Sequence, residues 1–376
     1  KIALHYEGPV VYVPDASRSV GVAQGLLSDH SAQFIDELNV DYERVRQQHA
    51  QKKVTPIISL EDARKNAPVM DWDGFKVKKP QFTGSRVFLK QSLADLTPFI
   101  DWTPFFQTWD LAGPYPAILQ DSIVGAEAQK VFNDAQSMLK KLVQEQWLEA
   151  NAVLAFYPAN AVGDDVVLWR DESRQVPLMV WHGLRQQTKK PQSRPNRCLS
   201  DFVAPMGHED YIGCFALTTG IGVDAQEAIF LAQNDDYQSI MLKALADRLA
   251  EAYAEYLHWR VRTDLWGYSE GEQLSMQEMI AERYVGIRPA PGYPACPDHV
   301  IKKALFEELP CAQAGISLTS SLAMSPASSV CGFYMANPQA QYFNVGRIGD
   351  DQVKDLANRQ GLDVQDCVRF LGPNLS

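Results

Sequence analysis

The chain has 376 residues, 46% of them hydrophobic, enough for a large core and, as a prior from length, about two domains. Its formal net charge of -11 excludes a general nucleic-acid binder, which needs a basic footprint. No apolar run approaches the roughly 20 residues of a membrane span and the start lacks a signal-peptide apolar core, so a cytoplasmic protein that meets no membrane is expected; Lys1 as first residue points to a piece of a longer polypeptide.

Val10-Val-Tyr-Val13 predicts a short strand, followed by a turn over Asp15-Ala-Ser-Arg18 and a helix over Val20 to Leu27. Strand, turn and helix in this order look like the last unit of a doubly wound domain whose earlier strands are missing. A charged helix is predicted over residues 31–51, and 52–90 has few periodic apolar positions among Pro, Lys and Gly. These features divide the chain into a remnant over 1–30, a linker over 31–90 and a main domain over 91–376, with the linker draped over the main domain.

Ser92-Leu-Ala-Asp95 has the pattern of a helix N-terminal capping box, and Pro98 and Pro104 limit that helix. Asp101 lies among Phe99, Ile100, Trp102, Phe105, Phe106 and Trp109, where an unpaired carboxylate would be costly. It requires a donor, either a backbone amide or a ligand ammonium. A helix over 122–148 places Val131, Ala135, Met138, Leu139 and Leu142 at three-to-four spacing. Strand-like runs at Ala152–Tyr157, Val166–Trp169 and Leu178–Trp181 are spaced as hairpins rather than crossovers. The expected class is therefore α+β, a mixed and largely antiparallel sheet flanked by long helices, and not a Rossmann methyltransferase.

The strand over Tyr211–Gly222 runs into Gly220-Ile-Gly222, a superficial likeness to a nucleotide-binding turn that lacks the third glycine. A long helix from Tyr237 to Arg262 carries an apolar stripe of Leu242, Leu245, Leu249, Ala252, Tyr253 and Tyr256. Asp247, Glu251 and Glu255 repeat at every fourth residue on another face, a like-charge row suited either to solvent or to a docked cation. Ser275-Met-Gln-Glu278 is a capping box that opens the next helix. After it, a helix is predicted over 298–309, strands over Ile316–Met324, Val330–Ala336 and Tyr342–Val345, and closing helices over 350–359 and 364–370.

Between the helices lies Gly286-Ile-Arg-Pro-Ala-Pro-Gly-Tyr-Pro-Ala-Cys-Pro-Asp-His299, with Pro289, Pro291, Pro294 and Pro297. Prolines fix φ and remove backbone donors, so the segment is a stiff, non-helical path. Arg288 offers a planar fork that suits a carboxylate, Gly292 permits close backbone approach and Tyr293 adds a ring with a polar tip. The same residues also suit a plain connector with a surface ion pair. The six cysteines are scattered without metal-site spacing and read as reduced thiols; Cys296 in the proline loop is assigned to packing beside Pro297.

Residues Arg288 to His299, with their R-x-x-x-G-Y pattern, resemble the signature of the activation-domain family of cobalamin-dependent methionine synthases. Phe99-Ile-Asp-Trp-Thr-Pro-Phe-Phe106, Arg185-Gln-Gln-Thr188 and Ala244–Ala252 are similar to the same family, and the resemblance runs over about residues 90–370. Val11–Val22 resembles the end of that enzyme's cobalamin-binding domain. The resemblance implies a domain that binds S-adenosylmethionine and presents its methyl group for reductive reactivation of cob(II)alamin. Its implied partners are the cobalamin-binding domain of the same chain and flavodoxin or an equivalent reductase. Methionine formation itself would belong to modules outside this piece.

By the same resemblance, Arg288 would grip the methionyl carboxylate, Asp101 would take the ammonium and Glu251 would lie near the ligand. Ala290, Gly292 and Tyr293 would meet the adenosyl portion, Tyr342 would stand beside the ligand, and Phe343 occupies a position where a second tyrosine often occurs. Ala16 would line the pocket for the cobalamin tail. Asp247 and Glu255 are expected to serve docking of the cobalamin domain. Competing expectations are an interaction module that docks partners without ligand, and a free-standing methyltransferase, for which no catalytic dyad is visible.

Overall fold

A computed structural model describes residues 6, 8–13, 16–51, 55–74, 76–191 and 193–375. The chain forms two compact units, Lys1–Pro56 and Ile57–Ser376. In the first unit, helices α1 (Ala16–Leu27) and α2 (Ser31–Gln51) form a helical hairpin. Phe34 packs against Gly25, and the Tyr42 hydroxyl accepts from the Tyr12 amide at 2.8 Å. Residues 10–13 carry no strand. Strand pairing needs a neighbouring strand to supply hydrogen bonds, and an apolar run alone does not provide one.

The second unit begins with α3 (Leu60–Lys65) and β1 (Gly84–Phe88), so the boundary expected near residue 90 falls inside it. Next come α4 (Leu93–Leu96), α5 (Thr103–Thr108), α6 (Gly125–Glu145) and three strands, β2 (Glu149–Val162), β3 (Asp165–Trp169) and β4 (Pro177–His182). Strand β5 (Tyr211–Ile221) leads through Gly222 into α7 (Val223–Ala232) and the long α8 (Asp236–Arg260), which ends in one π-helical turn, Val261–Leu265. A short helix α9 (Met276–Ile280) precedes the proline loop. After the loop come α10 (Ile301–Glu308), the small hairpin β6 (Ser317–Leu318) with β7 (Met324–Ser325), β8 (Ser329–Tyr334), α11 (Asp350–Gln360) and α12 (Val364–Phe370).

The main sheet runs β4-β3-β2-β5-β8, with β1 also on β2, and every pairing is antiparallel. The α+β class follows. Successive side chains alternate between faces: Leu154, Phe156, Phe215 and Leu217 face α5, α6 and α8, whereas Val153, Ala155, Ile212, Cys214 and Phe333 face α10 and β4. Both faces are covered, which is why β2 and β5 read as unbroken apolar runs rather than polar alternations. The stripe foreseen on α8 is buried in the first of these cores together with that of α6. Because α8 lies between the sheet and α4–α6, its opposite edge is left to face a cavity.

The proline loop runs along the free edge of β8. Ile287 exchanges two backbone hydrogen bonds with Met335 at 3.0 Å each, and the Pro289 carbonyl accepts from the Phe333 amide at 2.9 Å. This covers an edge that would otherwise invite pairing by another chain. Gly332 on β8 makes the approach possible, since a Cβ there would stand 2.6 Å from the Pro289 carbonyl oxygen. Gly332→Ala is therefore expected to push the loop off the strand and lower stability by about 1–3 kcal/mol. Urea unfolding would measure this; an unchanged midpoint would show that the loop is not pinned at that contact.

Candidate functional site

A cavity of about 720 Å3 opens between α8, the segment around Asp101, α9, the proline loop and residues 342–343, within the range of small-molecule sites. Four carboxylates, Asp101, Glu251, Glu255 and Glu282, line it together with two guanidinium groups, Arg248 and Arg288. Phe99, Pro104, Met279, Tyr293 and Tyr342 supply apolar and aromatic wall. The arrangement suits a ligand with both positive charge and a carboxylate, and a flat group that packs on rings.

Arg288 is positioned at three points. Its amide donates to the Tyr342 hydroxyl at 2.8 Å, its Nη1 to the Ala254 carbonyl of α8 at 3.0 Å, and its Nη2 to Glu255 Oε2 at 3.1 Å. Burial is the largest single effect and works against its charge, but Glu255 and the Tyr342, Tyr284 and Tyr334 hydroxyls together outweigh it, so its pKa rises further above the ordinary arginine value. The fork is permanently charged. Glu255, expected from the sequence to serve docking of the cobalamin domain, lines the cavity with a side chain 13% exposed. The period of a helix tells which residues share a face; what packs on that face is a tertiary fact.

Asp101 stands just before α5, and its Oδ1 accepts from the Thr103 amide at 3.0 Å. A backbone amide is thus one of the donors it needed, and its carboxylate also borders the cavity. Glu251, one turn before Glu255 on α8, accepts from the Tyr293 hydroxyl at 3.2 Å. This contact ties the proline loop to α8. Ala290 and Phe343 line the cavity, and Gly292 sits beside Tyr293 in a tight turn at φ +98°, closed by its amide donating to the Cys296 carbonyl at 2.8 Å. A turn of that sign favours glycine because it has no Cβ.

Ala16 opens α1, but its side chain lies outside the described residues. Tyr342–Val345, predicted as a strand, is irregular, and Tyr342 contributes through its hydroxyl. Cys296 is buried, and burial pushes its thiol far above the ordinary value, consistent with packing. Gly220 and Gly222 lie away from the cavity; a Cβ on Gly222 would collide with the Trp147 carbonyl, so that glycine serves the strand-to-helix turn.

Sequence reasoning missed Arg248, Met279, Glu282 and Tyr284 as wall residues. Tyr284 and Glu282 lie within six residues of Arg288, a proximity that could have raised them. Partial burial raises the Glu282 carboxyl above its usual range against the opposing pull of Arg288, with Glu255 adding to the rise.

Two comparisons bear on this site. A family model described as vitamin B12 dependent methionine synthase, activation domain, matches residues 92–361. A crystal structure of the MetH reactivation domain bound to AdoHcy is similar to this chain at 50% sequence identity and a TM-score of 0.82, over 86% of this chain and 99% of that one.

Proposed function

This chain belongs to the activation-domain family of vitamin B12 dependent methionine synthase, and we propose that its cavity binds S-adenosylmethionine and holds the methyl group toward a cobalamin carried by a neighbouring domain. The observation that carries this reading is one cavity that brings the Arg288 fork together with the Asp101 and Glu251 carboxylates. S-adenosylmethionine has a carboxylate, an ammonium and a sulfonium, and the charges of the wall match all three in sign. When bound, it supplies a sulfonium-activated methyl group, which with an electron from flavodoxin or an equivalent reductase would complete reductive remethylation of the cobalamin.

In this reading the residues orient the ligand and do no acid–base chemistry. Arg288 holds the carboxylate by charge-assisted hydrogen bonds. Asp101 takes the ammonium, and Glu251 adds negative charge near the sulfonium. The backbone of Ala290 to Tyr293, with Tyr342 and Phe343, forms the adenosyl wall. Prolines keep that wall in its binding shape beforehand, which reduces the ordering cost of association. The first 30 residues are assigned to the end of the cobalamin-binding domain, with Ala16 toward the cobalamin tail.

Isothermal titration of the chain with S-adenosylmethionine and S-adenosylhomocysteine tests the reading, with single-site binding of both as the expected result. Asp101→Asn is expected to weaken both by roughly tenfold, the scale of one charge-assisted hydrogen bond. Absence of binding to the parent chain would overturn the proposal.

A further inference from the structure

We propose that Glu255, backed by a buried row of ion pairs, orients the Arg288 guanidinium for a ligand carboxylate and so makes the cavity select adenosyl ligands that carry one. The inference rests on the ligand reading above and adds a positioning residue to it.

Behind Arg288 the charges alternate in sign. Glu255 Oε2 accepts from Arg288 at 3.1 Å, and Glu255 Oε1 faces Arg262 Nη1 at 3.8 Å. Arg262 is fully buried in the π-helical turn after α8 and sets its fork on Glu272, with bonds of 2.7 to 3.1 Å. The ring of Tyr284 lies 4.3 Å from its guanidinium carbon, a cation–π contact. The carboxylate that touches Arg288 is therefore itself held from behind by a cation that cannot move into solvent.

That construction has a directional result. A guanidinium has five N–H donors in a fixed plane. The Ala254 carbonyl and Glu255 take one donor from each terminal nitrogen, which sets the plane; among the described residues no hydrogen bond takes the other donors of this cavity-lining side chain. The Tyr342 hydroxyl fixes the other end of the residue by accepting from its amide at 2.8 Å. Glu255 Oε1 and Arg262 Nη1 are buried without a hydrogen-bond partner among the described residues, an arrangement that rarely persists without a reason. Here the ion pair between them takes the place of a hydrogen bond and keeps Glu255 turned toward Arg288.

Removal of the Glu255 charge should then act on one part of the ligand only. Glu255→Gln keeps the shape of the side chain but not its charge. By isothermal titration, it is expected to weaken S-adenosylhomocysteine by about tenfold and 5′-methylthioadenosine, which has no amino-acid carboxylate, by less than about twofold. Where 5′-methylthioadenosine binds the parent chain too weakly to titrate directly, its affinity is read by displacement of S-adenosylhomocysteine. Glu255→Asp, which keeps the charge but withdraws it by one methylene, is expected to show the same selective loss and serves if the glutamine variant does not fold.

Equal losses for both ligands would show a packing role and overturn the inference. Tighter binding of S-adenosylhomocysteine would also overturn it, because Glu255 would then be a competitor for the guanidinium rather than its guide. So would unchanged affinity. A parent chain that binds none of these ligands removes the ligand reading, and this inference with it.

Discussion

Arg288→Ala is expected to weaken S-adenosylhomocysteine binding by about thirtyfold or more, because truncating one partner of a buried, hydrogen-bonded charge pair costs about 2–5 kcal/mol. The side chain is 15% exposed and its neighbours on α8 hold it at the cavity wall, so water does little to screen its charge from a bound carboxylate. Arg288→Lys should recover only part of the loss, since an ammonium cannot reproduce the planar fork. The fold should survive: after truncation Glu255 still has Arg262 at 3.8 Å, so no charge is stranded alone. Isothermal titration beside urea unfolding separates the two effects. Unchanged affinity of a folded Arg288→Ala chain would sink the assignment of Arg288 to the ligand carboxylate.

Arg185→Ala is expected to have the largest effect on stability, about 3–5 kcal/mol, with no direct effect on the ligand. Arg185 is 3% exposed and lies outside the cavity wall. Its Nε donates to Asp164 at 2.7 Å, its Nη2 to Asp201 at 2.7 Å, and its Nη1 to both the Asn196 carbonyl and Asp201, at 2.7 and 2.9 Å. Arg64 of α3 also reaches Asp164 at 2.7 Å, and Arg359 of α11 joins the neighbouring Asp165. The network fastens residues 57–66, the β3–β4 region and α11 to one another. Truncation leaves Asp201 buried without its cation, and urea unfolding at constant slope would report the cost. Retention of the full midpoint would mean that the remaining arginines compensate. At temperatures where the variant is folded, S-adenosylhomocysteine affinity should match the parent.

This network also explains Arg185-Gln-Gln-Thr188, which from the sequence was only a point of family likeness. Gln187 and Gln352 are buried and bonded at 2.8 Å, and Gln352 exchanges two hydrogen bonds with the Arg185 backbone at 2.7 and 2.9 Å. Four polar residues in a row carry no periodicity, so no sequence pattern could assign them to a buried joint. The reverse holds for Ser275-Met-Gln-Glu278. Its reciprocal capping bonds form as expected, because a capping box is made from groups three residues apart and needs nothing else. Ser92-Leu-Ala-Asp95 has a similar pattern, yet Ser92 makes no side-chain cap and Asp95 accepts from Gln91 instead. A local rule states what is available, and neighbouring groups decide whether it is used.

The site divides along the same line. Arg288, Asp101 and Glu251 could be singled out because each posed a chemical problem: a fork on a stiff loop, a carboxylate among rings, a row of like charges. Their convergence on one cavity could not be read, since Asp101 and Arg288 are far apart in sequence and only the packing of α5 and the proline loop against α8 brings them to a common wall. Glu255 shows the limit most sharply, as its helical face was legible and its partner was not.

By itself, the sequence determined the secondary elements whose cause lies within a few residues. These are the amphipathic stripes of α6 and α8, the apolar strands β2 and β5, the capping box before α9 and the stiffness of the proline loop. Periodicity and restricted dihedrals act locally and leave their mark in composition. Only the tertiary structure decided the residues whose role depends on a distant partner. It made β1 part of the sheet, turned the Arg185 motif into a buried joint, and placed Glu255 behind Arg288. Hydrogen bonds and ion pairs between elements depend on where the chain returns in space, and neither spacing nor composition records that.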